Sequence, residues 1–169
     1  MQEDREDRED RAEPGAEPVF RPMEAGDLEE VAALEKVCFR DPWSLGSFQA
    51  ELSAAPVSWC SVLRLDEKLA GYMIAWFVED EAHLANIAVA PWGRRRGYAQ
   101  RMLDRLFHET YLRGSAILVL EVRASNQGAI QLYERNGFVP GGVRKNYYSR
   151  PREDAIVMVR SLRWKGTSE

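Results

Sequence analysis

Residues 94–99, RRRGYA, set three guanidinium groups and a glycine where an apolar strand gives way to a helix. That combination suits an anion. The first amides of a helix have no intrahelical acceptor, and the helix dipole adds partial positive charge there. A glycine lets the backbone come close to a phosphate. Pro91 directly follows the strand, so the strand stops and the turn begins at once. The pattern is not the P-loop, which needs Lys-Ser/Thr after its last glycine, nor the dinucleotide G-x-G-x-x-G. The plainer alternative is a solvated loop with Gly97 opening the helix.

Two further residues could do chemistry. Glu121 lies in AILVLEV, residues 116–122, a continuous apolar run. Partial burial would raise its pKa toward the range of a general base. Alternatively it faces solvent or pairs with Arg123. Tyr133 follows on a short helix, where Ile130, Tyr133 and Phe138 form one apolar face. A phenol can pack its ring there and still point its hydroxyl into a cleft. Cys38 and Cys60 sit with no histidine in a nucleophile pattern and read as core residues. His83 and His108 are isolated, on a strand and a helix, and read as structural or surface residues. No metal is expected.

The elements that must hold these residues can be read from periodicity and breakers. Val19 to Arg21 suggest a short strand. Asp27 is a good N-cap for a helix whose Leu28, Val31, Leu34, Val37 and Cys38 recur at helical spacing. Pro42 breaks that helix, and Ser44 caps a second one through about Ala54. Val57–Leu65 and Leu69–Val78 form a hairpin at DEK. A mostly apolar strand over 82–90 leads into the arginine turn and a helix from Gly97 to about Leu112. The buried strand at 116–122 follows. Asn126 or Ser125 caps a helix through Glu134, ended by Gly137. Phe138–Lys145 and Asp154–Arg160 fit a closing hairpin. This order gives a mixed α/β domain.

The chain has 169 residues, 45% of them hydrophobic, enough for one domain with a sizeable core. Its net charge of −4 is uneven. Residues 1–17 hold eight acids and three arginines, a net of −5, which leaves the remainder at +1. The domain therefore carries no basic field for nucleic acid. Residues 1–17 read as a disordered acidic tail, 18–162 as the folded domain, and 163–169 as a frayed end. No run approaches a transmembrane span, no signal peptide opens the chain, and the two cysteines fit a reducing, cytoplasmic setting.

Arg94, Gly97 and Ala99 fill the three places of Q/R-x-x-G-x-G/A, the acetyl-CoA signature of the GNAT acetyltransferase superfamily, which this chain resembles. LEVRASN and LYERNGF strengthen the resemblance, and DPWS with RKNYYSRPREDA favours the RimI-type ribosomal-protein alanine N-acetyltransferases. It runs from about Val19 to Arg160. Ala90 departs from a commonly acidic place, and Ala99 replaces the commoner glycine. The resemblance implies a mostly antiparallel sheet of about seven strands flanked by four helices and splayed between its two central strands. It implies acetyl-CoA as donor, held by Ile87, Ala88, Val89, Arg94, Arg95, Arg96, Gly97, Tyr98, Ala99, Gln100 and Asn126. Asn126 also reads as a helix cap alone.

It further implies Glu121 as proton acceptor and Tyr133 as proton donor. Backbone N–H groups near Ala88 and Val89 would meet the oxyanion. The acceptor would be a protein N-terminus, that of a small-subunit ribosomal protein beginning with alanine, with no nucleic-acid or membrane partner. Trp43, Tyr147 and Tyr148 would line the peptide cleft, or simply pack a loop and a hairpin. An α-amine with pKa about 7.7–8.0 is roughly a tenth neutral at pH 7, so a modest base suffices; a lysine amine is well under a thousandth neutral. Two other readings stand beside this one: a GNAT enzyme acting on lysine side chains or a small amine, and a non-catalytic acyl-CoA-binding or ribosome-associated module.

Overall fold

The computed structural model describes residues 17–162. Seven strands form one sheet: β1 (Val19–Pro22), β2 (Ser58–Leu65), β3 (Lys68–Val78), β4 (Glu81–Val89), β5 (Ile117–Arg123), β6 (Val139–Ser149) and β7 (Arg152–Ser161). Four helices accompany them: α1 (Leu28–Cys38), α2 (Leu45–Ser53), α3 (Tyr98–Leu112) and α4 (Gln127–Arg135). The strand order is β1-β2-β3-β4-β5-β7-β6, and only the central β4–β5 pair is parallel. The expected mixed, mostly antiparallel architecture is therefore present. The acidic stretch up to residue 16 and the end from residue 163 lie outside the described residues. Glu17, the last acid of that stretch, pairs with Arg101 at 2.7 Å.

Alternation along β3 builds a core on both sheet faces. Tyr72 and Ile74 pack with Leu28, Val31 and Phe48 of α1 and α2. Met73 and Ala75 pack with Met102, Leu103 and Leu106 of α3. Ser44 caps α2 as expected, its Oγ accepting from Ser47 N–H at 3.1 Å. Gly97 opens α3 at φ +77°, in the left-handed region that glycine enters without steric cost.

Three sequence expectations change. Asp27 makes no side-chain cap bond to α1. It accepts from Glu24 N–H at 2.8 Å and pairs with Arg21 and Arg64, a richer set of donors than one helix amide. The buried face of α1 runs through Leu28, Val31, Ala32 and Glu35, while Val37 is 66% exposed and Leu34 and Cys38 are only half-buried. The helix is rotated so that a carboxylate, rather than Val37, points inward. Finally, β6 continues to Ser149, because Tyr148 and Ser149 pair with Glu153 and Arg152 across a tight turn.

Candidate active site

The β4–β5 ladder is short. It joins Glu81–Leu84 to Ile117–Leu120 and then stops, although β4 runs on to Val89 and β5 to Arg123. The cause is visible on the other edge of β4. The β3–β4 register slips between Ile74 and Ala75, which leaves Ala85 as an extra residue in β4. A bulge of this kind bends a strand and ends its pairing. The two strands then part, and a cavity of about 640 Å³ fills the opening. Residues 84–89 and 120–123 line it, with Trp43 and Asp41 on the α1–α2 side and Tyr148 and Glu153 on the β6–β7 side.

Past the split, one edge of β4 has no strand beside it. Ala90 N–H donates to Ala70 C=O at 2.8 Å. Alternation then turns the N–H and C=O of Ala88 toward β3, and those of Ile87 and Val89 into the gap. Near Ala88 and Val89, the amides of Ile87 and Val89 face the opening and that of Ala88 does not. Ala99, at the start of α3, lines the same cavity. The amides of Tyr98, Ala99 and Gln100 precede the first intrahelical bond, which Arg101 N–H makes to Gly97 C=O. Arg94, Arg95 and Arg96 are all exposed. The side chains of Tyr98 and Gln100 point elsewhere. Tyr98 is buried edge-on against Trp92, and Gln100 exchanges hydrogen bonds with Asn136. Only their backbone can meet a ligand. Asn126 caps α4 through Ala129 N–H at 3.1 Å and also lines the cavity.

Glu121 sits where β5 leaves β4, its side chain 7% exposed. His83 Nε2 lies 2.5 Å from one carboxylate oxygen, and Arg144 Nε lies 3.1 Å from the other. These partners overturn the expected upward shift. The hydrogen bond from His83 holds the Glu121 carboxyl below its ordinary value, outweighing burial, and the charges of His83 and Arg144 add to it. The alternative pairing with Arg123 is absent. That guanidinium bonds Glu153 at 3.3 Å and lies 4.1 Å over the Tyr148 ring. Tyr133 is 6% exposed and packs edge-on against Phe138, with ring centroids 5.6 Å apart. It lines the cavity, and its hydroxyl bonds no other described residue. Burial pushes its pKa well above the ordinary phenol value, so it stays protonated at neutral pH. Trp43 and Tyr148 reach the cavity; Tyr147 is not among its lining residues and lies beside Arg144 instead. Burial raises the Tyr148 phenol to about 12.

A Glu and a Tyr facing one cavity, an open strand edge and an arginine-flanked helix start make a constellation that can be compared with known proteins. The Acetyltransferase (GNAT) family model matches residues 28–138. The chain belongs to the GNAT acetyltransferase family. A curated relative from Escherichia coli K12, the ribosomal protein bS18-alanine N-acetyltransferase, is 40% identical over 138 residues, covering 80% of this chain and 92% of the relative. The crystal structure of the E. coli ribosomal-protein-S18-alanine N-acetyltransferase superposes with a TM-score of 0.82 at 36% identity, over 90% of this chain and 99% of that one. Ard1 from Thermoplasma volcanium shares the fold, with a TM-score of 0.81 at 23% identity over 87% of this chain and 99% of its own.

Sequence reasoning missed His83, Arg144 and Glu35. His83 did leave a signal: it is the one titratable side chain in the apolar run AHLANIAVA, as Glu121 is in AILVLEV. Two such exceptions on neighbouring strands can face each other. Cys38 was expected in the core; it is half-buried, lines the cavity, and its thiol donates to Val89 C=O at 3.7 Å. Cys60 is buried as expected.

Proposed function

We propose that this protein transfers the acetyl group of acetyl-CoA to the N-terminal α-amine of a protein, the N-terminal alanine of ribosomal protein bS18 being the acceptor its relatives point to. The observation that carries the reading is Glu121 and Tyr133 facing one cavity beside the unpaired edge of β4. The acceptor class follows from the relatives' names at 40% identity. A ribosomal acceptor puts the protein in the cytoplasm, and no described helix is long and apolar enough to cross a membrane.

The family uses acetyl-CoA, and the residues present fit it. The free amides at the start of α3, with Arg94, Arg95 and Arg96, hold the pyrophosphate. Ile87 and Val89 offer backbone groups to the pantetheine arm, and Asn126 stands across the opening. The bound donor supplies a thioester carbonyl for the amine to attack. The N–H groups of Ile87 and Val89 face the position where oxygen gains charge. Glu121, kept ionised by His83, takes the proton that the amine sheds as it bonds to carbon. Tyr133, kept protonated by burial, gives its proton to the departing sulfur. Trp43 and Tyr148 form opposite walls for the incoming peptide.

Thiol release from acetyl-CoA tests the reading, using an Ala-starting peptide and an N-blocked twin containing an internal lysine. Turnover with the free N-terminus alone is expected. Turnover of both, or of the blocked peptide alone, would make this a lysine or broad amine acetyltransferase. Tight donor binding without turnover of either would point to a small-amine acceptor or a binding module.

A further inference from the structure

Helix α1 carries one carboxylate into the protein interior. Glu35 is 1% exposed, and the four hydrogen bonds it accepts come from neutral donors. Trp43 N–H donates at 2.9 Å, the Tyr72 hydroxyl donates to the other oxygen, and Asn86 Nδ2 spans both at 3.3 and 3.2 Å. A carboxylate is costly to bury, and such a set of donors offsets that cost. Neither Glu121 nor Tyr133 is among them.

The loop between α1 and α2 shows what this arrangement achieves. Among the described residues, the main chain of 40–43 makes a single hydrogen bond, from Trp43 N–H to Glu35. One side-chain bond adds to it across the cleft, from Ser149 Oγ to Asp41 at 2.9 Å. Arg40, Asp41 and Trp43 all line the cavity. Asn86 is different: it lies in β4, which the ladder to β3 holds regardless, through Ile74 opposite Asn86. Removing the Glu35 carboxylate would therefore take away the loop's one main-chain tether, leaving the packing of the Trp43 ring on Phe48, and would leave the strand in place.

We propose that Glu35 is a positioning residue for the acceptor. It fixes the cleft wall at residues 40–43 against which the peptide N-terminus lies, without touching the reacting atoms. The inference rests on the acetyl-transfer reading of the cavity, and it separates the two substrates. Its loss weakens peptide binding and spares acetyl-CoA.

The test compares Glu35→Leu with Glu35→Gln by steady-state kinetics on an Ala-starting peptide and acetyl-CoA. Leucine keeps the volume and removes the acceptor. Glutamine keeps a carbonyl for Trp43 N–H, and its amide can donate to the Tyr72 hydroxyl, which accepts as well as donates. Glu35→Leu should raise the peptide KM about tenfold, as expected for loss of the one hydrogen bond that tethers the loop, with the acetyl-CoA KM within about twofold. Glu35→Gln should keep the peptide KM within about threefold of the unaltered enzyme. An unchanged peptide KM in Glu35→Leu, or an equal rise in both KM values, overturns the proposal. If Glu35→Leu does not fold, amide hydrogen exchange on the unaltered protein decides. The Trp43 amide should exchange at least about tenfold more slowly than those of Arg40 and Asp41, and equal rates overturn the proposal. That measurement needs no turnover. An unaltered enzyme that ignores the peptide would count against the acetyl-transfer reading, while the exchange rates would still judge Glu35.

Discussion

Glu35 and Glu121 are both carboxylates with little exposure, and both line the same cavity, yet their surroundings are opposites. Glu35 is held by a backbone amide, a phenol and a side-chain amide, all of them neutral. Glu121 is held by His83 and by Arg144, whose side chain is 56% exposed. Charged or solvent-open partners suit the proton-accepting role proposed for Glu121. The two carboxylates under one cavity are thus distinguished by their partners rather than by their burial.

The comparison can be broken first at Glu121. Glu121→Gln keeps the shape and removes the proton acceptor, so kcat/KM for the peptide should fall about 10²–10⁴-fold while the fold survives. A fall of only a few-fold, measured by thiol release, would take the base role away from Glu121. Tyr133→Phe comes next. It keeps the ring against Phe138, so the melting temperature should change little, while kcat drops by about 10²-fold. A melting temperature that falls in step with kcat would make Tyr133 a packing residue. His83→Gln should have a smaller effect, about tenfold on kcat, because a neutral side-chain amide replaces a donor able to carry charge. Arg144→Ala should cost less still, since its guanidinium is open to solvent.

The smallest effect is on stability against pH. The folded-state pKa of Glu121 lies below its ordinary value of 4.5, with the hydrogen bond from His83 as the largest cause. Its stabilising contribution is therefore present above that ordinary value and is lost as pH falls through the lowered folded value. Acid unfolding followed by circular dichroism should show a shallower loss below that ordinary value in Glu121→Gln than in the unaltered protein. Identical slopes would mean that His83 and Arg144 do not favour the ionised form.

The order of elements was legible because each has a local cause. β-rich runs, Pro42, Ser44, Gly97 and Gly137 punctuate the chain where the structure does. The arginine turn and the LEVRASN stretch were legible for the same reason: a strand, a turn and a helix start are adjacent in sequence. What escaped was anything set by rotation or by pairing across the sheet. Apolar spacing along α1 was compatible with Val37 inside, whereas Glu35 turns inward with Leu28, Val31 and Ala32, where Trp43, Tyr72 and Asn86 meet its carboxylate. Likewise, an apolar strand around Glu121 argued for a raised pKa, and the parallel pairing that brings His83 within 2.5 Å reverses it.

The sequence by itself determined that this is a mixed α/β domain with an anion-suited helix start and one ionisable residue in a buried strand. Those features depend on neighbours a few residues apart, within one turn of helix or one strand. Tertiary structure decided where the sheet opens, which carboxylate meets only neutral donors and which meets a histidine and an arginine, and what tethers the main chain of residues 40–43. Those outcomes depend on groups dozens of residues apart, such as Glu35 with Asn86 and His83 with Glu121. Their meeting is fixed by register, by the bulge at Ala85 and by helix rotation, which composition and periodicity leave open.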